Sequence, residues 1–356
     1  MRRDPIPELG SPAGAAVRRA LGQVHAFESD PAAQCSTAAR FRWLARVTGD
    51  DVVVGKLFES HLDALGIAQE ILGVNEAAAL RKVVDPLEGL WGVWASEGPA
   101  GSGLQLHWEA DGRLTVTGRK SWCSGAGGAN AALVTARDAD GQPQLVAVSM
   151  RHPGVTVTRE GWEAVGMADT ASVDVLFDAV PAWAVGAPGA YLDRPGFWHG
   201  AAGIAACWHG AACAVAQPLR QRVQQRGDAA DGLLAAHLGA VDCALSAAAH
   251  ALRHAAEAID RHRAQVSLGE VGTPFGRREA LQVRGTVEAA ATTTIDHIGR
   301  ALGAGPLCRD AGHARRVADL SVFLRQSHAE WDLAVLGRLA AQACPSTPLG
   351  DSAWTL

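Results

Sequence analysis

The spacing of hydrophobic positions along the chain changes twice. Up to about Glu88, segments such as AAVRRALGQVHAFES and HLDALGIAQEILGVNEAAALRKVV carry apolar residues three and four apart, the repeat of one helix face. From about Leu90 to Gly186 the period becomes two: LQLHWEADGRLTVTG alternates on both sides of Asp111-Gly112, and ARDADGQPQLVAV does so around Asp140-Gly141. An Asp-Gly pair between alternating runs predicts a hairpin, because both residues tolerate the positive φ of a tight turn. After GAPGAYLDRPG the helical spacing returns. Leu234, Leu238, Val241, Leu245, Ala248, Leu252, Ala255 and Ile259 follow steps of four and three, a seam that has to pack on other helices. Thr273-Pro274 predicts an N-cap and first-turn proline for a helix reaching about Ala301, and Asp310 predicts the cap of another. With a helix from Ala201 to Val223 these make about four, the number of an antiparallel bundle. The string RRVADLSVFLRQSHAEWDLAVLGRL, Arg315 to Leu339, predicts the last helix, with its seam through Val317, Leu320, Leu324, Trp331 and Val335. The prediction is an α+β chain: an N-terminal helical domain over 1–89, a central antiparallel β domain over 90–187, and a C-terminal four-helix bundle over 188–356.

Charge and cysteine usage narrow the function classes. The formal charge is -5, and the basic residues are dispersed apart from Arg277-Arg278 and Arg315-Arg316, which read as solvated helix faces. No stripe for a phosphate backbone results, so no nucleic-acid partner is expected. The seven cysteines form no CxxC pair, which argues against a disulfide framework and a structural zinc site. No uninterrupted apolar run reaches about 18 residues, and MRRDPIPELGSP lacks the apolar core of a signal peptide, so a cytoplasmic protein without a membrane span is expected.

Three strings carry chemistry. SEGPAGSG runs from Ser96 to Gly103, GRKSWCSG from Gly118 to Gly125, and VGMADTASVDVLFDAVPAWAVG from Val165 to Gly186. Their order and spacing resemble the middle domain of the acyl-CoA dehydrogenase superfamily of flavoproteins, and the helix–sheet–helix order resembles that superfamily across most of the chain. The resemblance implies bound FAD. A flavin ring needs a flat apolar neighbour for its face and hydrogen-bond donors at its polar edge. By resemblance Trp122 packs beside the ring, the Ser124 hydroxyl or amide addresses its N5 edge, and Ala95 and Ser96 lie at the pyrimidine edge. Cys123 falls among these contacts, although strand alternation points it away from Trp122 and Ser124. Ser102 matches a residue at the acyl-CoA channel, and a turn serine explains it equally well. Gly103 stands where the family has an aspartate.

The bundle carries less. Phe275-Gly276 matches the family pair that reaches a neighbouring subunit's FAD, while Gly272 stands in place of the expected arginine. Gly303 and Gly305 stand for a glycine cluster, or simply end a helix. The family's glutamate base has no counterpart: its place falls near Ser327, with His328 beside it and Glu330 on another face, and an alternative location falls near Asp193 and His199. Ser327 and His328 are the candidate catalytic pair, with a backbone-bonded serine and an edge histidine as the plainer explanation. His250, His254 and Glu257 share a helix face opposite the long seam, which reads as solvated rather than metal-binding. The resemblance implies α,β-dehydrogenation of an acyl thioester, with an electron-accepting flavoprotein as partner, in a homodimer or homotetramer. Alternatives are a monooxygenase on the same fold supplied by a flavin reductase, and a noncatalytic member.

Overall fold

The computed structural model describes residues 11–98, 103–227, 232–270 and 274–342. Five helices come first: α1 Pro12–Glu28, α2 Pro31–Gln34, α3 Thr37–Asp50, α4 Val52–Leu72 and α5 Val74–Val84. Serine or aspartate caps open the first four: Ser11, Asp30, Ser36 and Asp51 each accept an amide proton of the first turn.

Seven strands follow, β1 Leu90–Trp94, β2 Gly103–Trp108, β3 Leu114–Cys123, β4 Ala129–Arg137, β5 Pro143–Ser149, β6 Val155–Val157 and β7 Val173–Ala184. Both predicted hairpins form: β2 pairs β3 and β4 pairs β5, each antiparallel, with Gly112 at φ 82° and Gly141 at φ 77° in the turns. The strands β4, β5, β7, β3 and β2 run round in a ring that a bridge from Gln105 to Arg137 closes. The domain is not wholly antiparallel, because β1 joins β4 in parallel along Leu90 to Trp94. A strand arriving from a helix rather than from a hairpin is free to take that direction. Both faces of β4 and β5 are buried. Ala132, Val134, Val146 and Val148 fill the ring, while Ala131, Leu133, Leu145 and Ala147 meet Ala64 and Ile67 of α4.

The last part is helical: α6 Ala190–Asp193, α7 Gly196–Arg226, α8 Gly232–Ser267, α9 Arg277–Leu302, α10 Ala304–Arg309, α11 Ala311–Phe323 and α12 Glu330–Gln342. The predicted seam of α8 is its packed stripe, with Val241, Ala248, Leu252, Ala255 and Ile259 buried. By length and composition α8 is also apolar enough to cross a membrane, although only 17% of the relevant window is buried. Two predicted details change. α9 opens at Arg277, where the Gly276 amide donates to the Glu279 carboxylate, and Thr273 lies outside the described residues. The helix predicted from Arg315 through Leu339 breaks after Phe323 into a 3-10 turn, Leu324–Gln326, before α12 begins. Trp331, expected in the seam, is therefore 78% exposed.

Close backbone approaches fix how the parts meet. A Cβ on Gly210 of α7 would lie 1.9 Å from the Ala45 carbonyl of α3, and one on Gly166 would lie 2.1 Å from the Ala318 carbonyl of α11. Only glycine permits these crossings, which lock α3 on α7 and the β domain on the bundle.

Candidate functional site

Trp122 leaves its strand. β3 pairs Lys120 with Val175 and Cys123 with Val173, so Ser121 and Trp122 together oppose the single residue Asp174. This β-bulge re-aims one side chain. Trp122 has φ 58° and is 45% exposed, while Ser121 and Cys123 on either side are buried. A bulky residue in the left-handed region costs about 1–3 kcal/mol, and such strain gathers where a side chain has a task. Met167 and Ala171, close by on the loop before β7, share the left-handed conformation. Cys123 belongs to the β core rather than to Trp122's surroundings: its thiol points at the Lys120 carbonyl, 3.2 Å away, and burial raises its pKa far above the usual thiol value. The sequence predicts this division from alternation, whereas the bulge produces it.

Two residues on from Trp122, a line of hydroxyls begins at Ser124. Ser124 Oγ is 2.8 Å from Ser172 Oγ, which is 2.8 Å from Thr170 Oγ1, which donates to the Met167 carbonyl at 2.7 Å. That carbonyl also accepts from Trp162 Nε1 at 3.1 Å and from the Thr170 amide at 3.0 Å. The Met167 amide in turn donates to the Asp319 carboxylate of α11, buried in the seam between β domain and bundle. Desolvation raises the Asp319 pKa, and the Met167 hydrogen bond with Arg315 opposes that. The expectation that Ser124 supplies a donor meets a difficulty, because its amide already donates to the Trp122 carbonyl at 3.0 Å. An exposed indole with a half-buried hydroxyl two residues on nevertheless fits a flat ring with one polar edge.

The other predicted residues scatter. Ala95 accepts from Thr135 Oγ1 at 3.1 Å through its carbonyl, and Ser96 is exposed at the end of β1. Ser102 and Gly272 lie outside the described residues. Phe275 is 3% exposed within the bundle's own core, 6.0 Å from the His199 ring, which leaves it no free face for a second subunit's cofactor. Gly303 ends α9 with φ 63°, the helix-end role. Ser327 is buried and accepts the Ala329 amide at 3.1 Å, whereas His328 is exposed, with Nδ1 3.5 Å from Asp332. The pair thus opens α12. Glu330 and Asp193 are exposed, and burial depresses the His199 pKa to about 4. His250, His254 and Glu257 are exposed as expected, and the described residues hold no group of three or more metal-ligating side chains. Arg315 is exposed, as expected of a solvated helix face, and it also joins Asp169 of the β domain to Asp319.

A charged interior escaped the sequence reading. Along α4, Lys56, Glu59, Asp63 and Glu70 follow helical steps on the side turned toward α3 and α7. Lys56 and Glu59 are buried and bonded at 2.8 Å. Glu70 holds Arg194 at 2.7 Å and the Gly196 amide at 2.7 Å. Arg40 of α3 faces Asp63 and Glu59, and desolvation lowers its pKa while both carboxylates oppose that. Burial and the neighbouring Glu59 push Asp63 up to about 6. The neighbouring face of α4 is pinned to β1, with Ser60 Oγ accepting the Val93 amide at 3.0 Å and His61 Nδ1 accepting the Trp91 amide at 3.1 Å. Lys56, Glu59 and Asp63 stand three and four apart, the spacing of one helix face, which does not by itself say whether that face is covered. A separate open cleft of about 630 Å³ runs between α3, α7 and α11, lined by Arg46, Asp50, His209, Cys213, His313 and Arg316. Neither Trp122, Ser124 nor Asp319 lines it.

Known proteins repeat this architecture. Residues 95–180 match the family description "acyl-CoA dehydrogenase, middle domain". No curated protein shows significant sequence similarity to the chain. The FMN-bound structure of TdsC from Paenibacillus sp. A11-2 is 18% identical, with 88% of this chain and 86% of that chain covered and a TM-score of 0.71. KijD3 in complex with FMN and a dTDP-linked amino-keto sugar is 17% identical over 97% of each chain, with a TM-score of 0.71. An acyl-CoA dehydrogenase from Slackia heliotrinireducens DSM 20476 is 17% identical, covering 86% of this chain and 81% of that chain, with a TM-score of 0.67. At these identities the likeness is one of fold.

Proposed function

We propose that this divergent acyl-CoA dehydrogenase-like chain, which carries that superfamily's middle domain in that superfamily's fold, is a flavoenzyme that oxidises a small polar molecule with oxygen, using reduced flavin from a partner reductase. A flavin supplies hydride or oxygen chemistry when bound. Trp122, whose side chain is 45% exposed, would hold the ring's face, and Ser124 would address its N5 edge.

The observation that carries the reaction type is the state of the flanking carboxylates. Proton removal alpha to a thioester needs a carboxylate free to accept the proton. Glu97 is held by Arg137, Glu160 and Asp174 by Arg119, and Asp169 and Asp319 by Arg315. On the bundle side Asp332 is occupied by His328 and its amide, and the base position carries Ser327. This arrangement supports an oxygenase over the dehydrogenase that the resemblance implies. FMN is proposed to suffice, since Phe275 and Gly303, expected to complete an FAD site, serve the bundle core and a helix end. TdsC and KijD3 are FMN complexes, which agrees with that choice. The polar dTDP-linked sugar in the KijD3 complex supports a polar substrate over an aliphatic chain.

Dehydrogenation stays as a second reading because the middle-domain match also belongs to acyl-CoA dehydrogenases. The test is the visible spectrum of the purified protein after loading with FMN or FAD and desalting, followed by turnover in air and under argon. Retained flavin with product formed only in air supports the proposal. Bleaching of oxidised flavin by an acyl thioester under argon selects dehydrogenation. Absence of any flavin binding, in either redox state, discards both.

A further inference from the structure

The hydroxyl line that begins at Ser124 has a fixed direction. Thr170 Oγ1 lies 2.7 Å from the Met167 carbonyl, and a carbonyl cannot donate, so the Thr170 proton is committed there. At 2.8 Å from Ser172, Thr170 then has only lone pairs to offer, and the Ser172 proton must point at it. The same argument sends the Ser124 proton to Ser172. Ser124 has no other donor: its amide serves the Trp122 carbonyl, and its own carbonyl accepts from Trp94 Nε1 at 3.2 Å. Successive hydroxyls polarised in one direction reinforce one another, which strengthens the acceptor character at the outer end. That end is a lone pair on Ser124, two residues along the chain from the exposed Trp122.

Oxidised and reduced flavins differ at N5. The oxidised ring presents a lone pair there, and the reduced ring presents an N–H. We propose that the Ser124–Ser172–Thr170 chain makes this site selective for reduced flavin, pairing with N5–H and opposing the N5 lone pair. The inference rests on the flavin reading of the Trp122–Ser124 edge. It adds what that reading leaves open: the preference for reduced flavin originates in Thr170 and Ser172, which are buried behind Ser124.

The experiment measures Kd for FMN by fluorescence, oxidised in air and dithionite-reduced under argon, and compares their ratio across variants of the full chain. The wild type is expected to prefer reduced FMN. Ser172→Ala frees the Ser124 proton to point outward, and should cut the preference roughly 3- to 10-fold, the range of one neutral hydrogen bond. Thr170→Val should do the same by releasing Ser172. Thr170→Ser keeps the chain and should keep the ratio, which separates hydroxyl direction from packing. Trp122→Phe should weaken both states alike. Circular dichroism identifies any variant that fails to fold, and the Thr170 pair then carries the comparison. An unchanged ratio in Ser172→Ala and Thr170→Val, with FMN still bound, overturns the inference and leaves the flavin reading standing. Loss of binding of both redox states to folded wild type overturns the two together.

Discussion

The β domain and the bundle hold the candidate edge in opposite ways. The β side is built from neutral groups under strain: Trp122, Met167 and Ala171 have positive φ, and a hydroxyl line carries direction without charge. The bundle side is built from relaxed helices and charge, with Asp319 and Arg315 of α11 reaching across the seam. A strained neutral edge is shaped by which atoms donate, whereas a charged one is shaped by what it is paired with. The first suits recognition of a ring by its protonation, and the second holds parts together.

The seam between the two is the first place to break the contrast. Gly166→Ala sets a Cβ 2.1 Å from the Ala318 carbonyl, so backbone must move on both sides. We expect a loss of about 3 kcal/mol or more, at the upper end of overpacking costs, read as a lower urea midpoint. Gly303→Ala on the bundle is the control: nothing lies within 4 Å of its Cβ, and only the φ of 63° opposes it, at about 1 kcal/mol. Equal losses would mean that the seam yields freely.

Asp319→Ala tests the charged contact across the same seam. It leaves the buried Met167 amide and Arg315 short of an acceptor, for an expected loss of about 2–3 kcal/mol. Because the Asp319 pKa is raised, part of its contribution is spent on burial, and Asp319→Asn should recover a good share. An Asn variant no better than Ala would show that charge, not hydrogen bonding, joins the domains.

These contrasts also mark what was legible in the sequence. Turn chemistry and period located the hairpins at Asp111-Gly112 and Asp140-Gly141 and the α8 seam, since each depends on residues near one another in the chain. The string singled out Trp122 and Ser124, and alternation separated Trp122 from the buried Cys123 for the wrong reason: the bulge that separates them depends on the register with β7, which no local pattern records. The stripe on α4 went unread, because helical spacing does not record that α3 and α7 cover it. Ser327 and His328 were read on an unbroken helix. The break after Phe323 made one a buried capping residue and the other an exposed histidine.

Acidity separates the two sides more gently. Asp63, raised from 3.8 to about 6, holds a proton in the folded state that the unfolded chain has released, so its contribution falls as pH rises from about 4 to 6. His61 and His199, lowered from 6.5 to about 4, act in the opposite sense, and stability from them is lost as pH falls through the same window. Asp63→Asn should therefore stabilise by about 1–2 kcal/mol at pH 8, a few degrees in Tm, with the gain vanishing near pH 4. The variant's acid-side loss should be steeper than the wild type's. A gain that does not change with pH would show that Asp63 is ionised throughout and paired with Arg40.

The smallest stability effect carries the sharpest functional one. Trp122→Gly removes a side chain that is 45% exposed and relieves a φ of 58° that glycine adopts without cost. The folded protein should gain up to about 1 kcal/mol, less the entropy that glycine adds to the unfolded chain, while FMN retention on desalting is lost. A variant at once more stable and empty would show that the bulge is strained for the ring's sake. If Trp122→Gly were instead destabilised by more than about 1 kcal/mol, the indole would be a packing residue after all, and the neutral edge would lose its face.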